Sequence, residues 1–384
     1  MEDAYILACG RSPMTRAGRG ALASARIDDV AAQVLCGVIS RLPALEPARI
    51  EDVLVGCAMP EGEQGLNVAR NISFLAGLPI SVAASTVNRF CASSLEAIGQ
   101  AVRAVRCGDG ELFVAGGIES MSHVPMGGFN PSLNERLMRE GAPDAYISMG
   151  LTAENVARER EISRESQDRF ALASHMKAVS AIERGKFSAE IVPVEVESGE
   201  EKKKVLRDDC PRADTSLEAL SALPPAFLDG GSVTAGNSSP LTDGAAMTII
   251  ASKGAAKRMG AKPIAKVRAF AVAGCDPALM GMGPVYAVPK ALARAGMKMK
   301  RLDLVELNEA FASQSIACVR ELSLDERRLN VNGGAIALGH PLGMSGARIL
   351  TTLVYAMQDR GADVGMAAMC VGGGQGAAMI LERA

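Results

Sequence analysis

Two long stretches of this chain carry the same order of elements: a strand, a turn opening into an amphipathic helix, and a strand that ends in consecutive glycines. In the first, a strand at 52–57 lies about 39 residues before Cys91, and in the second a strand at 302–307 lies about as far before Gly343. The helix after Cys91 shows Leu95, Ile98, Val102 and Val105 at helical spacing and is followed by a strand closing on Gly116-Gly117. The helix at 345–357 is followed by a strand closing on Gly372-Gly373-Gly374. A period of roughly 250 residues is that of a duplicated domain and not of a solenoid. Two like halves place a site between them.

Strands and helices alternate on either side of one interruption, so the class is α/β with a wound sheet. Forty glycines, no tryptophan and 3% aromatic residues fit helices packed closely on sheets. The predicted organisation is a first half over 1–250, carrying an inserted loop domain at about 119–237, and a second half over 251–384. Inside the insertion the pattern predicts a long helix at 163–184, with Ser163 as its N-cap and Gly185 beyond its end. The tract Glu200-Glu201-Lys202-Lys203-Lys204 reads as a solvated loop, with contact to a phosphorylated ligand as the alternative. A strand is predicted at 329–332, before a glycine-rich turn.

A net charge of -2 argues against a nucleic-acid or membrane-surface partner, because phosphate binding needs a basic excess. Nine cysteines without a C-x-x-C pair fit neither a disulfide framework nor a zinc knuckle, and no metal is expected. The N-terminus enters a strand directly and no run reaches membrane-spanning length, so the expected location is cytoplasmic and reducing. Gly372-x-Gly374-x-x-Ala377 has the form of a dinucleotide fingerprint, but too little chain follows it for a nucleotide fold.

The chemistry-bearing residues gather at the turns. Cys91 follows an apolar strand at 80–87 and precedes a helix, where unsatisfied N–H groups and the helix dipole favour a thiolate and the sharp turn presents the side chain. A buried packing cysteine is the alternative. Of three histidines, His175 falls within the long helix and reads as a surface or packing residue, and His123 at the entry to the insertion fits a structural or a functional role equally. His340 stands in Gly339-His340-Pro341-Leu342-Gly343, at the counterpart of the Cys91 turn in the other half. A thiol nucleophile needs a base, and His340 is the candidate. Cys370 ends a strand beside Gly372, whose N–H can help form an oxyanion hole. Asn308 offers an amide for a water or an oxyanion, or caps a helix.

Taken together, Arg11-Ser12-Pro13-Met14, Asn88-Arg89-Phe90-Cys91, Thr234-Ala235-Gly236-Asn237-Ser238-Ser239, Asn308-Glu309-Ala310-Phe311, Gly339-His340-Pro341-Leu342-Gly343 and Cys370-Val371-Gly372-Gly373-Gly374 resemble the thiolase family in order and over essentially the whole chain. The resemblance implies a duplicated five-layer αβαβα fold with a loop domain inserted in the first half. It implies that Cys91 becomes acylated, that His340 activates it and that Cys370 exchanges a proton with C2 of the acetyl-CoA unit. It places Asn308 and His340 at the enolate oxygen, and the N–H groups of Cys91 and Gly372 at a second oxyanion hole. Ser239, Met149, Phe227, Phe311 and Arg212 are carried over as acyl-CoA contacts, Arg212 near the CoA phosphates.

The same resemblance implies coenzyme A as a substrate, no permanently bound cofactor, and a homodimer or homotetramer, which in some members joins a hydratase/dehydrogenase subunit. Ser148-Met149-Gly150 lacks the histidine usual before Met-Gly in acetoacetyl-CoA-type members, which favours the degradative 3-ketoacyl-CoA branch of fatty-acid β-oxidation. An acetoacetyl-CoA or 3-oxoadipyl-CoA enzyme is the alternative within the family. A non-catalytic acyl-CoA-binding protein is the alternative of a different class.

Overall fold

The computed structural model describes residues 2–198 and 201–384. The first half runs β1 (Ala4–Arg11), β2 (Thr15–Arg16), α1 (Ile27–Ile39), β3 (Asp52–Cys57), α2 (Val68–Leu75), β4 (Ala83–Val87), α3 (Ser93–Cys107) and β5 (Leu112–Glu119). An insertion follows, with α4 (Met149–Glu159), α5 (Arg164–Glu183), β6 (Val194–Ser198), β7 (Glu201–Val205) and α6 (Leu217–Ser221), before β8 (Thr242–Ser252) and α7 (Lys253–Arg258). The second half comprises β9 (Ala265–Gly274), α8 (Gly283–Ala295), β10 (Leu304–Leu307), α9 (Ala312–Leu322), α10 (Ala335–Leu338), α11 (Ser345–Arg360), β11 (Val364–Val371) and β12 (Gln375–Glu382).

The strand order β4-β3-β5-β8-β1 continues through a short β1–β9 contact into β9-β12-β11-β10. In the first half β3 runs parallel to β4 and β5, while β5–β8 and β8–β1 are antiparallel. The second half repeats this: β10 is parallel to β11, and β11–β12 and β12–β9 are antiparallel. Where β4 stands in the first half, the second has, among the described residues, only a parallel bridge between Val305 and Leu329. The strand expected at 329–332 stops there because Asn330 adopts a φ of 42° and clamps Leu307 with its side chain. Its amide accepts from the Leu307 N–H at 2.9 Å and donates to the Leu307 carbonyl at 2.9 Å, replacing the ladder.

Period-2 alternation sorts each strand between two layers. On β8, Ala246 and Ile250 face a central layer that also holds Leu95 and Ile98 of α3 and Ile349 and Leu353 of α11. Met247 and Ile249 face an outer layer with α1 and α2. On the second half, Met366 of β11 and Ile380 of β12 face the other outer layer with α8 and α9, while Met369 and Met379 face the centre. The layers therefore read αβαβα. Both faces of each sheet are covered, which is why the strands are nearly continuous apolar runs. Leu95, Ile98, Val102 and Val105, the face predicted for α3, are all buried, each contributing about 1.5–3 kcal/mol relative to exposure.

The central helices touch at their N-termini. The Ser94 N–H donates to the Gly343 carbonyl at 3.1 Å, and the Ala347 N–H donates to Ser94 Oγ at 2.8 Å. A Cβ on Gly346 would lie 2.5 Å from the Leu95 nitrogen, so only glycine permits this approach. The turns that precede the two helices, one carrying Cys91 and the other His340, are thereby brought together.

Within the insertion, α5 is capped by Ser163 Oγ, which accepts from the Ser166 N–H at 3.2 Å. The tract expected to be a solvated loop is instead β7 of a two-stranded hairpin; its first residue, Glu200, lies outside the described residues. Glu195 and Glu197 stand opposite Lys204 and Lys202, with Lys204 Nζ 3.5 Å from Glu195 Oε1. Val194, Val196 and Val205 pack into the α1 layer. Lys202 and Lys204 thus face the glutamates of the partner strand, and all three lysines are exposed.

Candidate active site

Cys91 follows β4 through a turn in which Phe90 holds a φ of 45°. That conformation costs a non-glycine residue about 1–3 kcal/mol and persists only when its surroundings fix it. Here the Phe90 N–H donates to Asn88 Oδ1 at 2.8 Å, and Ser93 Oγ accepts from the Arg89 N–H at 2.9 Å while donating to the Phe90 carbonyl at 2.6 Å. Arg89 reaches Glu96 at 3.0 Å and, across the halves, Gln375 at 2.9 Å.

Cys91 is 9% exposed, and its sulfur is faced by its own N–H and that of Gly372. Burial pushes the thiol up to about 11; the two N–H groups pull it down by less and the Glu119 carboxylate pushes it up. The helix N-terminus was expected to favour a thiolate, whereas burial favours the neutral thiol in this candidate nucleophile.

His340, the candidate base, follows Gly339, where φ is 104° and a Cβ would lie 2.4 Å from Thr242 Cγ2, so that only glycine fits. His340 Nδ1 lies 2.5 Å from Ser345 Oγ, which donates its single hydrogen to the Pro341 carbonyl at 2.7 Å. Ser345 must therefore accept from Nδ1–H, which leaves the lone pair on Nε2. Nε2 is 3.4 Å from Asn308 Nδ2. Burial, reinforced by the nearby Arg348 charge, pushes His340 down to about 3. It is a neutral imidazole, able to receive a proton at Nε2.

Cys370, buried on β11, packs with Met280, Ala310 and Phe311 and against Met149. Burial and the neighbouring Cys91 push its thiol well up. A Cβ on Gly372 would meet Phe90 at 3.6 Å and Met149 Sδ at 3.7 Å. Phe227 meets Phe311 edge-on, with centroids 5.9 Å apart. Ser239 donates to the Ala310 carbonyl from its N–H at 3.0 Å and its hydroxyl at 3.1 Å. Cys91 thus lies beside Gly372 and Cys370, His340 beside Asn308, and Met149, Phe227, Phe311 and Ser239 around the segment that carries Ala310. The candidate site is built at the C-terminal ends of parallel strands in both halves, where open α/β sheets hold ligands. A thiol, a neutral imidazole and a second thiol beside two N–H donors can carry acyl transfer.

Arg212 stands apart from these contacts. Its guanidinium is exposed and 3.8 Å from Asp214, while its N–H donates to Nδ1 of the buried His175 at 3.2 Å. His123 pairs with Glu63 at 2.9 Å. Sequence reasoning missed Ser345 and Arg348; the available signal was an arginine within the apolar run of α11.

Burial, with the Arg212 and Arg16 charges, pushes His175 down to about 4. Because the unfolded chain takes up this proton near pH 6.5, the stability tied to neutral His175 is complete above that pH and is lost progressively down to about 4. Between pH 6.5 and 5 this contribution falls by about 2 kcal/mol. Urea midpoints at pH 7 and pH 5 should therefore fall more for the wild type than for His175→Gln. Equal falls would mean that His175 is not buried in its neutral form.

Comparison with known proteins decides the family. The model for the thiolase N-terminal domain matches residues 4–254, and that for the thiolase C-terminal domain matches residues 261–383. The chain belongs to the thiolase family. It is an acyltransferase of the duplicated thiolase fold. Thiolases named 3-ketoacyl-CoA thiolase from Bacillus subtilis and Shewanella baltica are each 47% identical over 391 aligned residues, covering 100% of both chains. Two solved thiolase structures superpose on it. The Bacillus anthracis acetyl-CoA acetyltransferase has a TM-score of 0.92 at 38% identity, and the human mitochondrial 3-ketoacyl-CoA thiolase 0.91 at 36%. Each covers 100% of this chain and 99% of its own.

Proposed function

We propose that this thiolase cleaves 3-ketoacyl-CoA esters with coenzyme A, releasing acetyl-CoA and an acyl-CoA shortened by two carbons. The observation that carries the reading is the meeting of the two turns that carry Cys91 and His340, with Cys370 of the second half beside Cys91. His340 Nε2 takes the Cys91 proton as the sulfur attacks the 3-keto carbon, and the oxyanion meets the N–H groups of Cys91 and Gly372. The C2–C3 bond breaks and its electron pair becomes an enolate, whose oxygen is met by protonated His340 and by a water on Asn308. Cys370 gives its proton to C2, and acetyl-CoA leaves. The incoming CoA thiol returns a proton to Cys370 and attacks the acyl group, and His340 reprotonates the released Cys91 sulfur.

Met149, Phe227, Phe311 and Ser239 would line the acyl and pantetheine path. Arg212, exposed at the surface, would reach the CoA phosphates. Full-length relatives named 3-ketoacyl-CoA thiolase and the Ser148-Met149-Gly150 sequence support a degradative role over an acetoacetyl-CoA one. The nine cysteines, all free thiols, suit a reducing cytoplasm. A homodimer or homotetramer is supported by β4, an edge strand with no buried residue beside Leu66 at 95% and Ile80 at 83% exposure.

The test is CoA-dependent cleavage across short, medium and long 3-ketoacyl chains. Turnover extending beyond four carbons is expected, and activity confined to acetoacetyl-CoA would reassign the substrate.

A further inference from the structure

Asn308 is fully buried, and its amide has two orientations of equal shape but opposite polarity. Its partners differ: His340 Nε2 lies 3.4 Å from Nδ2, and Arg348 Nη2 lies 3.4 Å from Oδ1. A guanidinium carries donors only, so the flipped amide would set donor against donor in a buried setting. Arg348 is itself fully buried, 3.6 Å from Glu306 Oε2, and its Nε and Nη1 have no hydrogen-bond partner. A buried pair 3.6 Å apart, whose Glu306 carboxyl burial pushes up to about 8, is a weak stabiliser, and an apolar side chain in its place would pack as well. Its contact with Asn308 gives it another role.

We propose that Arg348, held by Glu306, is a positioning residue that fixes the Asn308 amide with Nδ2 toward His340 and the enolate oxygen. The polarity then runs one way from end to end. Arg348 donates to Asn308, Asn308 donates to His340 Nε2, His340 Nδ1 donates to Ser345, and Ser345 donates to the Pro341 carbonyl. The same cation disfavours a second positive charge on the resting imidazole, so the base begins the reaction empty. A lysine cannot replace it fully, because one ammonium does not reach a carboxylate and an amide with the geometry of a planar fork.

The proposal rests on the reading of His340 and a water held by Asn308 as the donors to the enolate oxygen, and its test is a double-mutant cycle on the active thiolase. Arg348→Met should lower kcat for cleavage about 10–100-fold, with KM for coenzyme A within about twofold. This is expressed per Cys91 that can be acylated, so that lost folding is not counted as lost rate. In an Asn308→Ala background the same substitution should lower kcat by less than about twofold, because the group it orients is gone. Equal losses in both backgrounds would overturn the proposal, as would an unchanged kcat per acylated site. Should Arg348→Met fail to fold, Arg348→Lys carries the same cycle with a smaller expected loss. A wild type that cleaves no 3-ketoacyl-CoA would refute the functional reading itself, independently of Arg348.

Discussion

Replacing Cys91 with alanine should lower CoA-dependent cleavage of 3-ketoacyl-CoA by at least about 10⁴-fold, since the variant has no atom to carry the acyl group. The fold should survive. Cys91 is a small side chain at the edge of the central core, and losing one sulfur there is worth about 1 kcal/mol. Rate measured beside thermal unfolding separates the two effects. A variant that unfolds at the wild-type temperature but turns over at a wild-type rate would remove Cys91 from the mechanism.

Cys370→Ala should separate the two halves of the reaction. Its thiol is buried in the same site and held in its protonated form, which suits a group that gives a proton to carbon. Without it, acyl transfer from a saturated acyl-CoA to Cys91 needs no C2 proton and should persist within about tenfold. Cleavage of the C2–C3 bond should fall by about 10²–10⁴-fold. Stopped-flow acylation and steady-state cleavage on one preparation read both. Equal losses in the two would mean that Cys370 serves the nucleophile and not the carbon.

The duplication was legible because each half repeats its strand, turn and helix order, and the buried face of α3 follows from helical spacing. The meeting of the two turns followed as well, since those carrying Cys91 and His340 both precede central helices that touch at Ser94 and Gly346. The departures have local causes. The strand expected at 329–332 was lost to an asparagine side chain that pairs with the Leu307 backbone, a contact that residue periodicity does not encode. The lysine tract looked like a loop because its charges hide the alternation of Val194 and Val196 on the facing strand. The state of Cys91 reversed because a helix terminus is visible in a sequence, whereas the depth of burial depends on Gly372 and Phe90 arriving from different halves. Ser345 and Arg348 act through contacts of a single atom and left only the faint mark of an arginine on an apolar helix.

The central claim is that two thiols from the two halves divide the reaction, with Cys91 holding the acyl group. Its most direct test is to quench the wild-type enzyme with acid during turnover of a 3-ketoacyl-CoA without free coenzyme A, digest it, and weigh the cysteine peptides. The account predicts that the peptide containing Cys91 is heavier by the shortened acyl group and that the peptide containing Cys370 is unmodified. An acyl group found on Cys370, or on neither cysteine while acetyl-CoA is released, would contradict it.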